Sequence, residues 1–192
     1  MIHDHDRSGW FGASDTATIM GRWGTKTFRQ FWLQKLGLNH DYYTNLQMET
    51  GTAFEHRILE FIGVNRMDRQ IKIRGYRLRV NLDGETSDEI SEVKTHKSHT
   101  FKVSMAYWMQ AQVEMYAARK NLRIVAYNLE PDDYKNWFRE IDADRLSYHK
   151  IEYDHAWVEN EYLPRIRYLA HCLRKGVFPI DGDYIRERRL VD

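Results

Sequence analysis

Residues 83–94 read DGETSDEISEVK. The run before it, QIKIRGYRLRVNL (70–82), alternates apolar and charged residues, the two-residue period of a strand with unlike faces. It predicts one bent strand or two consecutive strands. DGETSD is rich in turn formers and EISEVKT returns to the alternation, so the stretch predicts a β-hairpin. Side chains alternate along a strand, which puts Glu92 and Lys94 on one side and Val93 on the other. Asp83 ends the first strand, and the hairpin returns it to the side of Glu92.

Two carboxylates then share one small surface with one ammonium. Like charges about 4 Å apart repel by roughly 4 kcal/mol at an effective dielectric near 20. Lys94 offsets part of that, and a hard divalent cation offsets more. Mg²⁺ favours one or two carboxylates, waters and phosphate oxygens, and the Val93 carbonyl can add a ligand. This layout suits metal-assisted phosphodiester hydrolysis, with Lys94 orienting the attacking water or stabilising developing charge. Solvated hairpins also carry such acids beside a lysine, so the triplet alone does not decide. Glu85, Asp88 and Glu89 are expected to be turn residues without a catalytic role.

Outward from the hairpin, SDTATIM predicts a short helix with Ser14 as N-cap and Gly21 as its end. TKTFRQFWLQKLG sets Phe28, Phe31, Trp32 and Leu36 at helical spacing and stops at Gly37. NHDYYTNLQ reads as a loop. A longer helix starts at Met48, with Phe54, Ile58, Phe61 and Ile62 as its apolar stripe and Glu55 beside it. After the hairpin, FKVSMAYWMQAQVEMYAARKN predicts a helix with Ala106, Met109, Val113 and Tyr116 on one face. LRIVAYNLE predicts a buried strand, and NWFREIDA and SYHKIEY two more strands. Asp154 caps a last helix running to Gly176, which Pro164 either kinks or splits. The order predicts a mixed α/β (α+β) fold, a central mixed sheet flanked by helices.

The 192 residues predict a single domain over 1–192, and 42% hydrophobic with 14% aromatic residues predicts a packed core. Lys and Arg total 29 against 28 Asp and Glu, so a nucleic-acid partner requires a local patch rather than bulk charge. Cys172, the only cysteine, excludes an intrachain disulfide, a zinc ribbon and an iron–sulfur cluster, and is read as core. MIHDHDRSGW lacks the apolar centre of a signal peptide, and no membrane-length apolar run occurs. The expectation is a cytoplasmic protein without a membrane partner.

An Asp-Gly followed by Glu-x-Lys resembles the core of the PD-(D/E)XK nuclease superfamily, with Leu82 where that pattern has proline. Four segments sharpen the likeness to the phage lambda exonuclease and YqaJ-like viral recombinase nucleases. FGASDTATIMG is similar to their N-terminal serine segment, TGTAFEHRILEFI to their G-x-x-(Y/F/L)-E helix, NLDGETSDEISEVKT to their Asp…Glu-x-Lys core, and YWMQAQVEMYAARKN to their Y-x-x-Q-x-Q helix. They follow in the family's order between about Arg7 and Asn128. The resemblance implies that Asp83, Glu92 and Glu55 hold one or two Mg²⁺ or Mn²⁺ ions and that Lys94 is the catalytic lysine. It assigns the active-site glutamine to Gln110, with Gln112 as the competing position. It matches Arg7 and Ser14 to the pair that binds the 5′-phosphate of a DNA end, chemistry that an arginine and a helix N-terminus suit.

The same resemblance implies a 5′→3′ double-strand DNA exonuclease that leaves 3′ overhangs for phage-type recombination, a phage or prophage setting in a bacterial host, a trimeric ring and a single-strand annealing partner. The alternatives are an endonuclease of the same superfamily, in restriction, defence or packaging, and a non-catalytic DNA-binding protein on this fold. The intact set Glu55, Asp83, Glu92 and Lys94 argues against the last. Trp10 precedes the phosphate segment and is a candidate to stack near a DNA end. Lys94, Lys97 and Lys102, which follow the active strand, are candidates for backbone phosphates, whereas Lys72, Arg74, Arg77 and Arg79 and the terminal Arg186, Arg188 and Arg189 read as solvated charge. His3, Asp4, His5 and Asp6 have the composition of a metal tract but sit at a chain end.

Overall fold

The computed structural model describes residues 7–39, 45–98 and 100–188; the His3–Asp6 tract and Arg189 lie outside them. Three helices lead: α1 (Thr16–Met20), α2 (Lys26–Lys35) and α3 (Leu46–Phe61). The sheet follows with β1 (Arg66–Ile73), β2 (Leu78–Glu85) and β3 (Glu89–His96). Then come α4 (Met105–Ala118), β4 (Asn121–Asn128), β5 (Leu146–Ile151), α5 (His155–Trp157), α6 (Leu163–Lys175) and α7 (Asp183–Arg188).

The five strands lie in sequence order, β1-β2-β3-β4-β5. β3 and β4 are parallel and the other neighbours antiparallel, so the sheet is mixed. A parallel pair cannot be closed by a tight turn, and α4 is the crossover that joins these two strands. α4 therefore lies across the sheet over the strand that carries Glu92 and Lys94.

Apolar side chains cover both faces. Leu78, Val80, Leu82, Ile90 and Ile124 pack with Phe28 and Trp32 of α2, Val113 of α4 and Ile166 of α6. On the other face Val93, Val125 and Tyr127 pack against Phe54, Ile58 and Leu59 of α3. Each such fully buried side chain contributes roughly 1.5–3 kcal/mol. Two glycines set how closely the layers meet. A Cβ on Gly84 would lie 2.6 Å from Leu59 and 2.8 Å from Val64, and one on Gly51 would lie 2.9 Å from the Thr95 hydroxyl. Gly51 thus lets α3 approach β3 one turn before Glu55.

QIKIRGYRLRVNL takes the second of its two expected forms, two strands broken by a 3-10 turn at Arg74–Tyr76, with Arg77 in the left-handed region at φ 52. Most other predicted elements form, with three differences. NWFREIDA is not a strand. Its Trp137, Phe138 and Arg139 carbonyls accept from the Arg57 guanidinium of α3, so they are satisfied without a sheet partner. Ser14 is no N-cap: it lies inside the 3-10 turn Ala13–Asp15, and the Asp15 carboxylate takes the Gly12 N–H at 2.7 Å. Glu85 and Glu89 are strand residues rather than turn residues, and Glu85 is buried. Pro164 is accommodated by a break in the last helix. A π-helical turn, Val158–Tyr162, precedes it and α6 restarts at Leu163, so its missing N–H falls in the first turn. Among the described residues no helix is long and apolar enough to cross a membrane.

Candidate active site

The β2–β3 ladder pairs Gly84 with Ser91 and Glu85 with Ile90. Just beyond those pairs, Asp83 Oδ2 accepts the Val93 N–H at 2.9 Å, so a side chain serves this backbone donor. On the opposite edge of β2, the level of Asp83 falls between the pairs Met67↔Gly84 and Arg69↔Leu82. The β1 residue there, Asp68, has φ 57. Both neighbours of β2 therefore depart from regular strand structure where Asp83 sits.

On β3, Lys94 Nζ donates to Glu92 Oε1 at 2.7 Å. From α4, Gln110 Nε2 donates to the same Oε1 at 2.6 Å and to Glu114 Oε1 at 2.7 Å, while its carbonyl oxygen lies 3.4 Å from Lys94 Nζ. The Lys94 ammonium also lies 5.0 Å from the Tyr107 ring centre, and Phe101 stacks on that ring. Gln112, the competing glutamine, is buried elsewhere. It donates to the Glu152 carbonyl and accepts the Asp154 N–H, which holds the start of α5. The structure brings Glu92, Lys94, Gln110 and Asp83 together and leaves Gln112 out.

Burial and mutual repulsion set the protonation of these acids. Burial, then the Glu92 charge, pushes the Glu55 carboxyl up to about 7. Burial, then Glu92 and Glu55, raises Asp83 well above the usual carboxylate range, and burial with Glu92 raises Glu114 likewise. Burial alone would lower Lys94, but Glu92 and Asp83 outweigh it and raise its pKa, so Lys94 stays an ammonium. Four carboxylates thus face one lysine. Glu92 Oε2 and Glu114 Oε2 are buried with no hydrogen-bond partner. An excess of desolvated carboxylate with an orphaned oxygen is a donor set that a divalent cation fits.

Glu55 also borders a cavity of about 470 Å³ that Asp83, Gln110 and Glu114 line on one side and Arg7, Trp10, Ser14, Lys35 and Arg79 on another. Lys35 is 1% exposed and pairs with Asp15 at 2.6 Å. Burial lowers the Lys35 pKa, and the Arg7 and Arg79 charges lower it further, so three cationic groups converge there. Ser14 is exposed on the same wall. The Trp10 ring lies under two cations, with Lys72 Nζ 5.6 Å and Arg77 Cζ 5.8 Å from its centre. A second cleft of about 310 Å³, with Lys94, Val93 and Tyr107 in its wall, also reaches Glu55. Glu55 and Thr52 are common to the two clefts, and Asp83 and Glu114 line the first.

Sequence reasoning passed over Glu114, His56, Asp68 and Lys35, and it read Arg79 as solvated charge, whereas Arg79 is buried in the cavity wall. His56 Nε2 lies 3.1 Å from Asp68 Oδ2, and ligand atoms of Glu55, His56 and Asp68 lie within 4.8 Å of one another. The i,i+4 spacing of Gln110 and Glu114 was the visible signal for Glu114. Nothing local marks Asp68 or Lys35, which reach the site through the sheet register and the packing of α2.

No protein-family model and no curated protein sequence matches the chain. Among solved structures, it is similar to an alkaline exonuclease from Laribacter hongkongensis, with TM-score 0.65, 18% identity, and 96% of this chain and 95% of that one covered. It is also similar to a phage-related exonuclease from Haemophilus somnus 129PT, with TM-score 0.60, 14% identity, and 95% and 96% covered. The mixed sheet flanked by helices is thus the fold this chain shares with these alkaline and phage-related exonucleases.

Proposed function

We propose that the chain, as a single nuclease domain over residues 1–192, is a metal-dependent deoxyribonuclease that degrades double-stranded DNA 5′→3′ from its ends and leaves 3′ overhangs for phage-type recombination. The observation that carries this is the junction of an uncompensated acidic cluster with a cation-lined cavity at Glu55. Nucleases that act inside a duplex have no need of a cationic pocket beside the scissile bond, whereas a terminal 5′-phosphate fits one. Arg7 offers paired N–H donors there and Ser14 a hydroxyl, with Arg79 and Lys35 adding positive charge. The two similar solved structures, both exonucleases by name, support the same activity.

Asp83, Glu92 and Glu55 would hold Mg²⁺ or Mn²⁺, one or two ions, with the Val93 carbonyl as a further ligand. Such an ion supplies Lewis acidity toward the phosphate and a more acidic water. The chain does the rest. Asp83 is oriented by the Val93 N–H. Glu92 Oε1 is fixed by Lys94 and Gln110, leaving its buried Oε2 without a hydrogen-bond partner. Lys94, kept protonated, places positive charge where the phosphorane-like transition state gathers negative charge. A trimeric ring around the duplex, a single-strand annealing partner and a cytoplasmic setting in a bacterial host complete the proposal.

The test incubates purified protein with linear and closed circular duplex DNA, with Mg²⁺ or Mn²⁺ or with chelator, beside Lys94→Ala. The expected result is chelator-sensitive loss of linear 5′-phosphorylated DNA alone, abolished by the substitution. Cutting of the circle would make the protein an endonuclease, and full activity of Lys94→Ala would remove the mechanism.

A further inference from the structure

Glu114 is fully buried in the middle of α4, and no lysine or arginine among the described residues forms an ion pair with it. The other fully or nearly fully buried acids of the sheet and its loops are treated differently. Glu85 pairs with Lys120 and Arg69, and Asp133 with Arg145 and Arg139. An acid buried without such partners costs stability. Its partners are in the active site: the Gln110 amide nitrogen at 2.7 Å, with the Glu92 carboxyl beside it.

That contact decides an orientation. A glutamine amide has two N–H donors on one side and a carbonyl on the other. Gln110 directs its nitrogen at Glu114 Oε1 and Glu92 Oε1 and leaves its oxygen toward Lys94. Turned over, the amide would set its oxygen against two carboxylates and its nitrogen against an ammonium. Gln110 and Glu114 are one helical turn apart, so the second carboxylate is locked to the same face of α4.

We propose that Glu114 is a positioning residue: it fixes the Gln110 amide so that Gln110 and Lys94 together hold Glu92 Oε1 and leave Glu92 Oε2 for the metal. The inference rests on the nuclease reading of this site. Glu114 then acts through Gln110 and Glu92 and touches neither substrate nor reacting atoms.

The experiment compares Glu114→Leu, Glu114→Gln, Gln110→Ala and the Gln110→Ala/Glu114→Leu pair, using 5′-phosphorylated linear duplex with Mn²⁺. It adds melting temperatures and a Mn²⁺ titration by calorimetry. Glu114→Leu should lower kcat about 10-fold with KM for DNA unchanged, while weakening Mn²⁺ binding. Its melting temperature should equal or exceed that of the wild type, because an unpaired buried carboxylate has gone. Glu114→Gln keeps an acceptor oxygen and should stay within about 3-fold of wild type, and the double variant should be no slower than Gln110→Ala. Wild-type kcat in Glu114→Leu, additive losses in the double variant, or a loss that follows a lower melting temperature would each overturn the proposal. Lys94→Ala in the same assay separates the two levels. If it is inactive while Glu114→Leu is normal, this inference alone fails; if it is active, the nuclease reading fails beneath it.

Discussion

Asp83 and Glu85 stand two residues apart on one strand, and the protein surrounds them in opposite ways. Glu85 is 1% exposed and receives Lys120 at 2.6 Å, Arg69 at 3.0 Å and Arg66 at 3.6 Å. Asp83 receives one backbone N–H and shares Lys94 with three other carboxylates. A buried acid that serves the fold is neutralised by the fold. A cluster left short of positive charge is stabilised only by a proton or a cation, and here the cluster opens onto a cavity. The contrast, more than the acidic composition of the hairpin, separates the proposed metal centre from a structural ion pair.

The largest effect that would break this contrast is on catalysis. Lys94→Ala and Asp83→Asn should each lower the rate of DNA hydrolysis by about 10³-fold, whereas Glu85→Gln should leave kcat within about 3-fold in protein that remains folded. Single-turnover degradation of end-labelled duplex measures all three. Next comes stability. Glu85→Ala leaves Lys120 with the Thr86 carbonyl alone, beside two exposed arginines, and should cost about 2 kcal/mol in urea unfolding. Asp83→Asn, which relieves repulsion, should be neutral or stabilising in the absence of metal. A smaller effect concerns DNA ends. Arg7→Ala should reduce the preference for 5′-phosphorylated over 5′-hydroxyl ends by about 10-fold, the worth of one charge-assisted contact. Equal preference before and after the change would detach the cationic cavity from the end.

The pH dependence sharpens the same point. Glu55 is raised from an ordinary 4.5 to about 7, so between those values the folded state binds more protons than the unfolded one. Its contribution to stability therefore falls as pH rises from about 4.5 to about 7. Glu55→Gln should raise the melting temperature of metal-free protein at pH 8 and leave it nearly unchanged at pH 4.5. A uniform shift across pH would mean that Glu55 is not the titrating group.

The hairpin and the helix α4 were legible because each depends on local periodicity: two along QIKIRG and EISEVK, and helical along α4. The choice between Gln110 and Gln112 was not, since both flank the apolar stripe and only tertiary contacts with Glu92 and Asp154 separate them. NWFREIDA carries strand-like residues, yet Arg57, 80 residues earlier, takes the Trp137 carbonyl. Glu85 looked like a turn acid because its partners Arg69 and Lys120 lie 16 and 35 residues away. Ser14 read as a cap because Asp15, the residue after it, performs the capping instead. In each case the deciding partner is distant in sequence or interchangeable with its neighbour.

The central claim is that Asp83, Glu92 and Glu55 are left uncompensated for a divalent cation. Thermal melting at pH 8 with and without Mn²⁺ tests it most directly, on wild type, Asp83→Asn and Glu85→Gln. The account predicts a clear Mn²⁺-dependent rise in melting temperature for wild type and Glu85→Gln, and its loss in Asp83→Asn. No rise in the wild type, or a rise that survives in Asp83→Asn, would contradict it.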